Sequence, residues 1–267
     1  MTTSTLHLID GHSQVFRAYH AIAAGLSTSS GIPTNATFGF LNNLNALLKT
    51  EQPTHLLVVW DAGHDARSEL FPDYKSNRAE TPPDLEEQMV WLHRVLDAMG
   101  VAQVSVDGHE ADDVIATLAR QAREQGLDVA VVSNDKDLFQ LVNDQTVVLR
   151  TQPRGSTVRC DAAAVREKMG VDPSRVPDLL GLMGDAVDCI PGVPGVGEKT
   201  AAKLLAEHGD LESVLAAASS VKQPKLRESL IQHAEQARLS RRLAVLDDKV
   251  PGVAFDPETC RWALRPN

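Results

Sequence analysis

Residues 127–137 read Leu-Asp-Val-Ala-Val-Val-Ser-Asn-Asp-Lys-Asp. A short, almost continuous apolar run follows Gly126 and stops at a polar turn, the pattern of a strand buried on both faces of a parallel sheet. It delivers Asp135 and Asp137 to the strand's carboxyl end. The same plan recurs at residues 54–61 (Thr-His-Leu-Leu-Val-Val-Trp-Asp) and 4–10 (Ser-Thr-Leu-His-Leu-Ile-Asp), which close on Asp61 and Asp10. Between them, residues 110–125 carry an apolar stripe at Ala111, Val114, Ile115, Leu118, Ala119 and Ala122. That i, i+3, i+4 spacing predicts a helix. Strands alternating with helices predict an α/β fold with a mainly parallel central sheet flanked by helices.

Further strands are expected at 101–106 and 146–150, and helices at 14–23, 36–49 and 84–99. Residues 62–83 are polar, rich in proline and without a sustained period, which reads as a long functional loop. From residue 161 the pattern turns helical, with helices expected at 161–169, 174–183, 199–208, 210–218 and 224–243, and an irregular tail after Pro251. The expected organisation is a core over 1–160 with its loop and following helix at about 62–100, a helical region over 161–250, and a tail over 251–267.

At 267 residues and 43% hydrophobic, the chain can bury a sizeable core. No run approaches the ~18–20 apolar residues of a membrane span, and no signal-peptide pattern opens the sequence. Three widely separated cysteines (Cys160, Cys189, Cys260) make neither a zinc spacing nor a disulfide framework, which fits a reducing cytoplasm.

Carboxylates concentrate in five places: Asp10, Asp61, Glu110-Ala-Asp112-Asp113, Asp135-Lys-Asp137 and Asp185-Ala-Val-Asp188. Setting these nine aside leaves 27 acids against 26 basic residues, so the net charge of −10 resides in the clusters and does not argue against a nucleic-acid partner. In an open α/β sheet the active crevice lies beyond the carboxyl ends of the strands, so these acids are expected to converge. One acid alone is equally an ordinary strand-ending residue; five clusters, three of them at the ends of buried strands, are not explained that way. Two bare charges ~4 Å apart repel by about 4 kcal/mol at an effective dielectric of ~20. Hard oxygen donors in this number point to Mg²⁺ or Mn²⁺, and a pair of such ions to phosphoryl chemistry.

Two further motifs bear on the substrate. Ile190-Pro-Gly-Val-Pro-Gly-Val-Gly-Glu-Lys-Thr-Ala-Ala-Lys203 places Gly192, Gly195 and Gly197 in a tight turn before a helix carrying Lys199, Thr200 and Lys203. Backbone amides at a helix start can grip a phosphate without reading bases, although a plain helix-packing turn has the same composition. It is not a P-loop, because the spaced glycines after a strand are missing. In the long loop, Tyr74-Lys75-x-x-Arg78 offers two cations suited to a scissile phosphate.

Taken together, Asp10-Gly-His with Phe16-Arg17, Val-Val-Trp-Asp61, Tyr74-Lys75-x-x-Arg78, Glu110-Ala-Asp112-Asp113, Asp135-Lys-Asp137 and Gly184-Asp185-x-x-Asp188 before the glycine turn resemble the 5′ nuclease (flap endonuclease) family. The resemblance is greatest to the 5′→3′ exonuclease domain of bacterial DNA polymerase I, and it covers residues 4–250. It implies a PIN-like core with a helical arch, and a C-terminal helical region with a helix–three-turn–helix at about 184–208. The implied activity is cutting 5′ flaps and 5′ ends of branched duplex DNA in replication and repair, by a monomer working beside, or fused to, a polymerase. By position, Asp10, Asp61, Glu110 and Asp112 match the family's first metal site. Asp135, Asp137 and Asp188 match the second, with Asp113 and Asp185 supporting through water. Lys75 and Arg78, with Asp10 and Asp112, are the implied catalytic residues. Phe16 and Arg17 fall where the family contacts the scissile nucleotide, and an aromatic here is as readily a core residue. The glycine turn with Lys199, Thr200 and Lys203 matches the duplex-binding hairpin, where the family often holds K⁺. Cys189 departs from the family's usual Asn, which bears on a supporting hydrogen bond but removes no carboxylate. Two rival readings are a PIN-type ribonuclease, which is shorter and lacks the hairpin, and a non-catalytic DNA binder, which predicts missing carboxylates. The basic segment Lys222, Lys225, Arg227, Arg238, Arg241 and Arg242 reads equally as a duplex footprint or a solvated helix face.

Overall fold

A computed structural model describes residues 4–22, 25–63 and 66–263. The last residue of the helix expected at 14–23, two residues of the 62–83 loop, and both chain ends lie outside the described residues.

In chain order the elements are β1 (Thr5–Asp10), α1 (Gly11–Ala21), α2 (Asn35–Glu51), β2 (His55–Trp60), α3 (Ala66–Leu70), α4 (Pro83–Met99), β3 (Ala102–Ser105), α5 (Ala111–Glu124), β4 (Asp128–Val132), β5 (Thr146–Thr151) and β6 (Thr157–Cys160). The helical part follows: α6 (Ala162–Met169), α7 (Val176–Met183), α8 (Glu198–His208), α9 (Leu211–Ala216), α10 (Pro224–Gln232), α11 (Ala234–Ala244) and the one-turn α12 (Pro257–Cys260).

The sheet runs β3-β2-β1-β4-β5-β6, with β1 to β5 parallel and β6 antiparallel. Side chains alternate across it, and both faces are buried. Leu6, Leu8, Leu57, Val59, Val129 and Val131 pack under α5 and the C-terminal helices. Ile9, Leu56, Val58, Trp60, Ala130 and Val132 pack under α2 and α4. This double burial is why the strands read as continuous apolar runs. The first of these clusters continues without a break from the sheet into Leu179, Leu205, Leu230 and Leu243 of the helical region.

Register fixes the site. Asp10 pairs with Val59, and Ile9 pairs with Val132. Asp10, Asp61 and Ser133 therefore leave the sheet at one edge, where the amino end of α5 also begins.

Three features differ from expectation. The long loop contains α3, and Tyr74 is anchored in the core at 6% exposure, so it is tethered where its polarity suggested solvent. The helix expected at 224–243 is two helices broken at His233 (φ −112°, ψ 25°). Strand β6 closes the sheet edge, and the tail returns to β2 through a bridge between His55 and Arg261.

Candidate functional site

The carboxylates converge at the sheet edge in two groups. Asp10 caps α1, accepting from Ser13 N–H (3.0 Å) and from Ser133 Oγ (2.7 Å). Burial pushes its carboxyl up to about 7; the two serine bonds pull it down, and the charges of Asp61 and Asp135 raise it. Asp61 Oδ1 accepts from Ala111 N–H at 2.7 Å, joining the end of β2 to the first turn of α5. Asp112, on that same turn, lies well above the ordinary carboxylate range through burial and the charges of Asp135 and Asp10. Glu110 faces Lys75 Nζ, Tyr74 Oη (3.2 Å) and Arg67 (3.4 Å).

The second group is Asp137, Asp185 and Asp188, all buried, with carboxylate oxygens within 4.8 Å of one another. Burial and the charges of Asp135, Asp188 and Asp185 drive Asp137 far upward. Its Oδ1 is buried with no hydrogen-bond partner among the described residues. Asp135 joins the groups: its charge raises Asp10 and Asp112 on one side and Asp137 on the other, while burial raises its own carboxyl.

Cations answer this charge at close range. Lys75 meets Glu110, Arg78 NH2 meets Asp188 Oδ1 at 2.8 Å, and Lys136 Nζ meets Asp185 Oδ2 at 2.8 Å. Burial alone would lower the proton affinity of Lys75, but Glu110 and Asp188 outweigh it and the net shift is upward.

Three of the expected site residues have settings that the sequence does not disclose. Asp113 does not face the cluster as a free ligand. Both its oxygens are taken by Arg67 (2.7 and 2.8 Å), and Oδ1 also accepts from Asp247 N–H at 2.8 Å. Asp185, expected in a supporting role, lies in the compact triad with Asp137 and Asp188 and pairs with Lys136. Gly192 faces inward: its N–H donates to Ser240 Oγ (2.9 Å) and its carbonyl accepts from Gln236 (2.6 Å). A Cβ at Gly192 would lie 2.3 Å from Gly184 N, so this glycine serves the hairpin's close crossing. Gly195 and Gly197, in contrast, border open space, and Lys199 and Lys203 are exposed beside half-buried Thr200. Phe16 is half-buried against the core with its ring 6.4 Å from that of His12. Arg17 lines a cleft with Asn42 and Gln152.

The basic segment divides. Arg238 is held by Glu212 and Glu235, Arg241 by Asp178, and Arg227 by the Val221 carbonyl. Lys222 instead lines a cleft of about 550 Å³ with Lys199 and Lys203.

Sequence reasoning missed Arg67. It bonds Asp113, the Leu243 carbonyl (2.9 Å) and the Val245 carbonyl (2.9 Å), tying the long loop to α5 and to the end of α11. An isolated arginine in a polar loop carries no periodic signal, and its partners lie as far as 178 residues away.

Comparison with known proteins agrees with this architecture. Residues 5–170 match the family described as "5′-3′ exonuclease, N-terminal resolvase-like domain", and residues 171–265 match "5′-3′ exonuclease, C-terminal SAM fold". The chain is 45% identical to DNA polymerase I of Bacillus caldotenax over 248 residues, covering 92% of this chain and 28% of that protein. It is 41% identical to DNA polymerase I of Mycobacterium tuberculosis over 260 residues, covering 96% of this chain and again 28% of the relative. The chain thus spans little more than a quarter of these polymerases. Among solved structures, the T5 D15 protein co-crystallised with metal ions superposes with a TM-score of 0.76 at 22% identity, covering 92% of this chain and 90% of the other. The catalytic core of Rad2 in complex with DNA substrate gives 0.61 at 15% identity, covering 98% and 83%. At these identities the structural likeness establishes the fold. The sequence matches establish more: the chain belongs to the 5′-3′ exonuclease family.

Proposed function

We propose that this chain hydrolyses phosphodiester bonds at 5′ ends and 5′ flaps of branched duplex DNA, with two divalent ions held in its acidic centre. The observation that supports this most directly is the pair of carboxylate groups at one sheet edge, bridged electrostatically by Asp135. The donors fit hard cations: they are all carboxylate oxygens, they hold one another's protons on by repulsion, and Asp137 Oδ1 is buried and unpartnered among the described residues. Asp10, Asp61, Glu110 and Asp112 would hold one ion, and Asp137, Asp185 and Asp188 the other, with Asp135 between. Such ions, Mg²⁺ or Mn²⁺, activate water near neutral pH and stabilise the leaving oxygen.

The chain's own cations supply the rest. Lys75 and Arg78 each touch one acidic group, so both stand where a phosphate spanning the two groups would pass. They exchange a carboxylate for the scissile phosphate and stabilise its developing charge. Tyr74 anchors their backbone beneath the arch proposed over about 62–100. Gly195, Gly197, Lys199, Thr200 and Lys203 form the face proposed to grip duplex phosphates, and Phe16 and Arg17 are proposed to contact the scissile nucleotide. The K⁺ site implied for the hairpin would draw on carbonyls other than that of Gly192, which Gln236 takes. The proposed division is a nuclease core over 1–160, a duplex-binding region over 161–250 and a tail. The proposed setting is a cytoplasmic monomer serving replication and repair beside, or fused to, a polymerase; among the described residues no helix is long and apolar enough to cross a membrane.

The test is cleavage of a labelled 5′-flap duplex with and without Mg²⁺. Asp135→Asn is expected to cut the Mg²⁺-dependent rate by ~100-fold or more while leaving duplex affinity within a few-fold. Stable binding without Mg²⁺-dependent cleavage would sink the enzyme reading, and an unaffected Asp135→Asn rate would refute the role of the bridging carboxylate.

A further inference from the structure

Among the acids of the cluster, Asp61 alone is exposed, and it lies one residue beyond the end of β2, outside the register of the sheet. Asp10 has two donors on its carboxylate, whereas the carboxylate of Asp61 has one backbone donor, Ala111 N–H on Oδ1. Its other fixed point is its own backbone: Asp61 N–H donates to His12 Nδ1 at 3.1 Å. An N–H pointing at Nδ1 requires that nitrogen to be unprotonated, so the ring carries its hydrogen on Nε2. The same Nδ1 lies 3.3 Å from Asp61 Oδ2 and so borders the carboxylate as well as the backbone.

The imidazole is itself held by a stack reaching away from the cluster. His12 lies near parallel to Phe16 (6.4 Å, 26°) and meets Trp60 edge-on (5.6 Å, 80°). Trp60 donates from Nε1 to Gln103 Oε1 (3.0 Å) and packs on Phe40 and His93. Gln103 is tied in turn to the His93 carbonyl and Asp97. Gly11 lets α1 start against this indole, since a Cβ there would lie 2.4 Å from the Trp60 ring. A rigid aromatic stack thus ends on one acceptor atom aimed at one backbone N–H, an arrangement that packing alone does not require.

From this geometry we infer that His12 is a positioning residue: its Nδ1 clamps the backbone of Asp61 so that the exposed carboxylate is pre-aimed at the divalent ion of the first acidic group. The inference rests on the reading of Asp61 as a metal ligand. Partners that orient metal ligands typically matter by about 10–100-fold in metal affinity.

Three variants of the full chain separate the clamp from the stacking. His12→Phe keeps the ring contacts and loses the acceptor. His12→Asn keeps an oxygen acceptor close to the position of Nδ1. His12→Gln carries its acceptor one bond further out. Mn²⁺ binding by calorimetry, the half-saturating Mg²⁺ for flap cleavage and the thermal midpoint are measured for each. The Phe and Gln variants are expected to weaken Mn²⁺ binding and raise the half-saturating Mg²⁺ by about tenfold, with KM for DNA within about twofold of the parent. The Asn variant is expected to return within about threefold of the parent. If the Phe variant does not fold, the Asn–Gln pair decides, since these differ by one methylene. Parental Mn²⁺ binding in the Phe or Gln variant, or an Asn variant as weak as Gln, overturns the inference. Asp61→Asn is the control. If it leaves Mn²⁺ binding unchanged, the ligand reading of Asp61 falls; if it weakens binding while loss of the His12 acceptor does not, only the positioning role falls.

Discussion

Replacing Arg67 by Met removes a charge but keeps most of the side-chain volume, and its consequences can be worked from the contacts. Arg67 is 8% exposed and Asp113 is 3% exposed. Their bidentate pair, at 2.7 and 2.8 Å, is the strong form of the interaction. Removing one partner of a buried pair costs about 3–5 kcal/mol, because the remaining charge stays buried and uncompensated. Asp113 would keep only Asp247 N–H among the bonds described, and the carbonyls of Leu243 and Val245 would lose a charged donor. Arg67→Met is therefore expected to lose about 3–5 kcal/mol in urea unfolding at pH 7, a large part of a typical domain stability of about 5–15 kcal/mol. Removing both charges should be far milder, since well-packed apolar replacements of buried pairs are often neutral. The double variant Arg67→Met/Asp113→Leu is thus expected to recover at least about 2 kcal/mol relative to the sum of the single changes. A single-variant loss below about 1 kcal/mol, or strictly additive losses, would refute the clasp.

Three other outcomes follow from the same contacts. His7 sits in β1 at 2% exposure with neither ring nitrogen bonded among the described residues, and burial lowers its pKa from 6.5 to about 4. The unfolded chain therefore binds the extra proton first, so stability is complete above about pH 6.5 and falls by up to about 3 kcal/mol as pH drops toward 4; in His7→Leu that acid loss should vanish from the difference between the two unfolding curves. Asp10 runs in the opposite sense. Its folded pKa of about 7 exceeds its ordinary value of 3.8, so its cost grows as pH rises from about 4 to 7, and Mg²⁺ should raise the thermal midpoint more at pH 8 than at pH 5; an equal rise at both would count against cation relief. Lys222→Gln should weaken duplex binding and reduce the slope of log K against log[salt] by about one, whereas an unchanged slope would remove Lys222 from the footprint.

What was legible in the sequence, and what was not, divides on physical grounds. The strands ending at Asp10, Trp60 and Val132 were readable because burial on both faces leaves an unbroken apolar run, and α5 because its large apolar side chains recur at i, i+3, i+4 spacing. Strand β6 was not, since Thr157–Cys160 is four residues long, lies at the sheet edge and leaves Val158 half exposed. The break at His233 has no glycine or proline to announce it; its carbonyl accepts from Ala237 N–H, starting α11 one residue after α10 ends. Convergence of the acids followed from strand polarity, but their partition did not. Asp112 and Asp113 are neighbours on α5, and the 100° step between them turns one toward Asp135 and Asp10 and the other toward Arg67. A pair of adjacent carboxylates in a sequence does not disclose which face each will take.

Backbone strain makes a further connection. Among the described residues three non-glycine residues have positive φ, and two of them, Lys75 (55°) and Cys189 (57°), lie at the same place. Lys75 N–H donates to the Asp188 carbonyl at 3.0 Å, Asn77 Nδ2 to the Ala186 carbonyl at 3.1 Å, and Arg78 to the Asp188 carboxylate. Each left-handed residue costs about 1–2 kcal/mol relative to ordinary backbone, and such strain persists only where the surroundings over-determine it. Here the surroundings are two segments 110 residues apart, stitched by bonds that carry Lys75 to Glu110 and Arg78 to Asp188. Relaxing either segment would swing a cation off its acid. Asparagine tolerates the left-handed region better than cysteine does, so Cys189 holds this turn at a higher backbone cost than an asparagine would. The strain therefore stands against the stitching itself: the geometry that places both cations over the acidic groups is maintained by the contact between the long loop and the 185–189 turn, and neither segment would hold it alone.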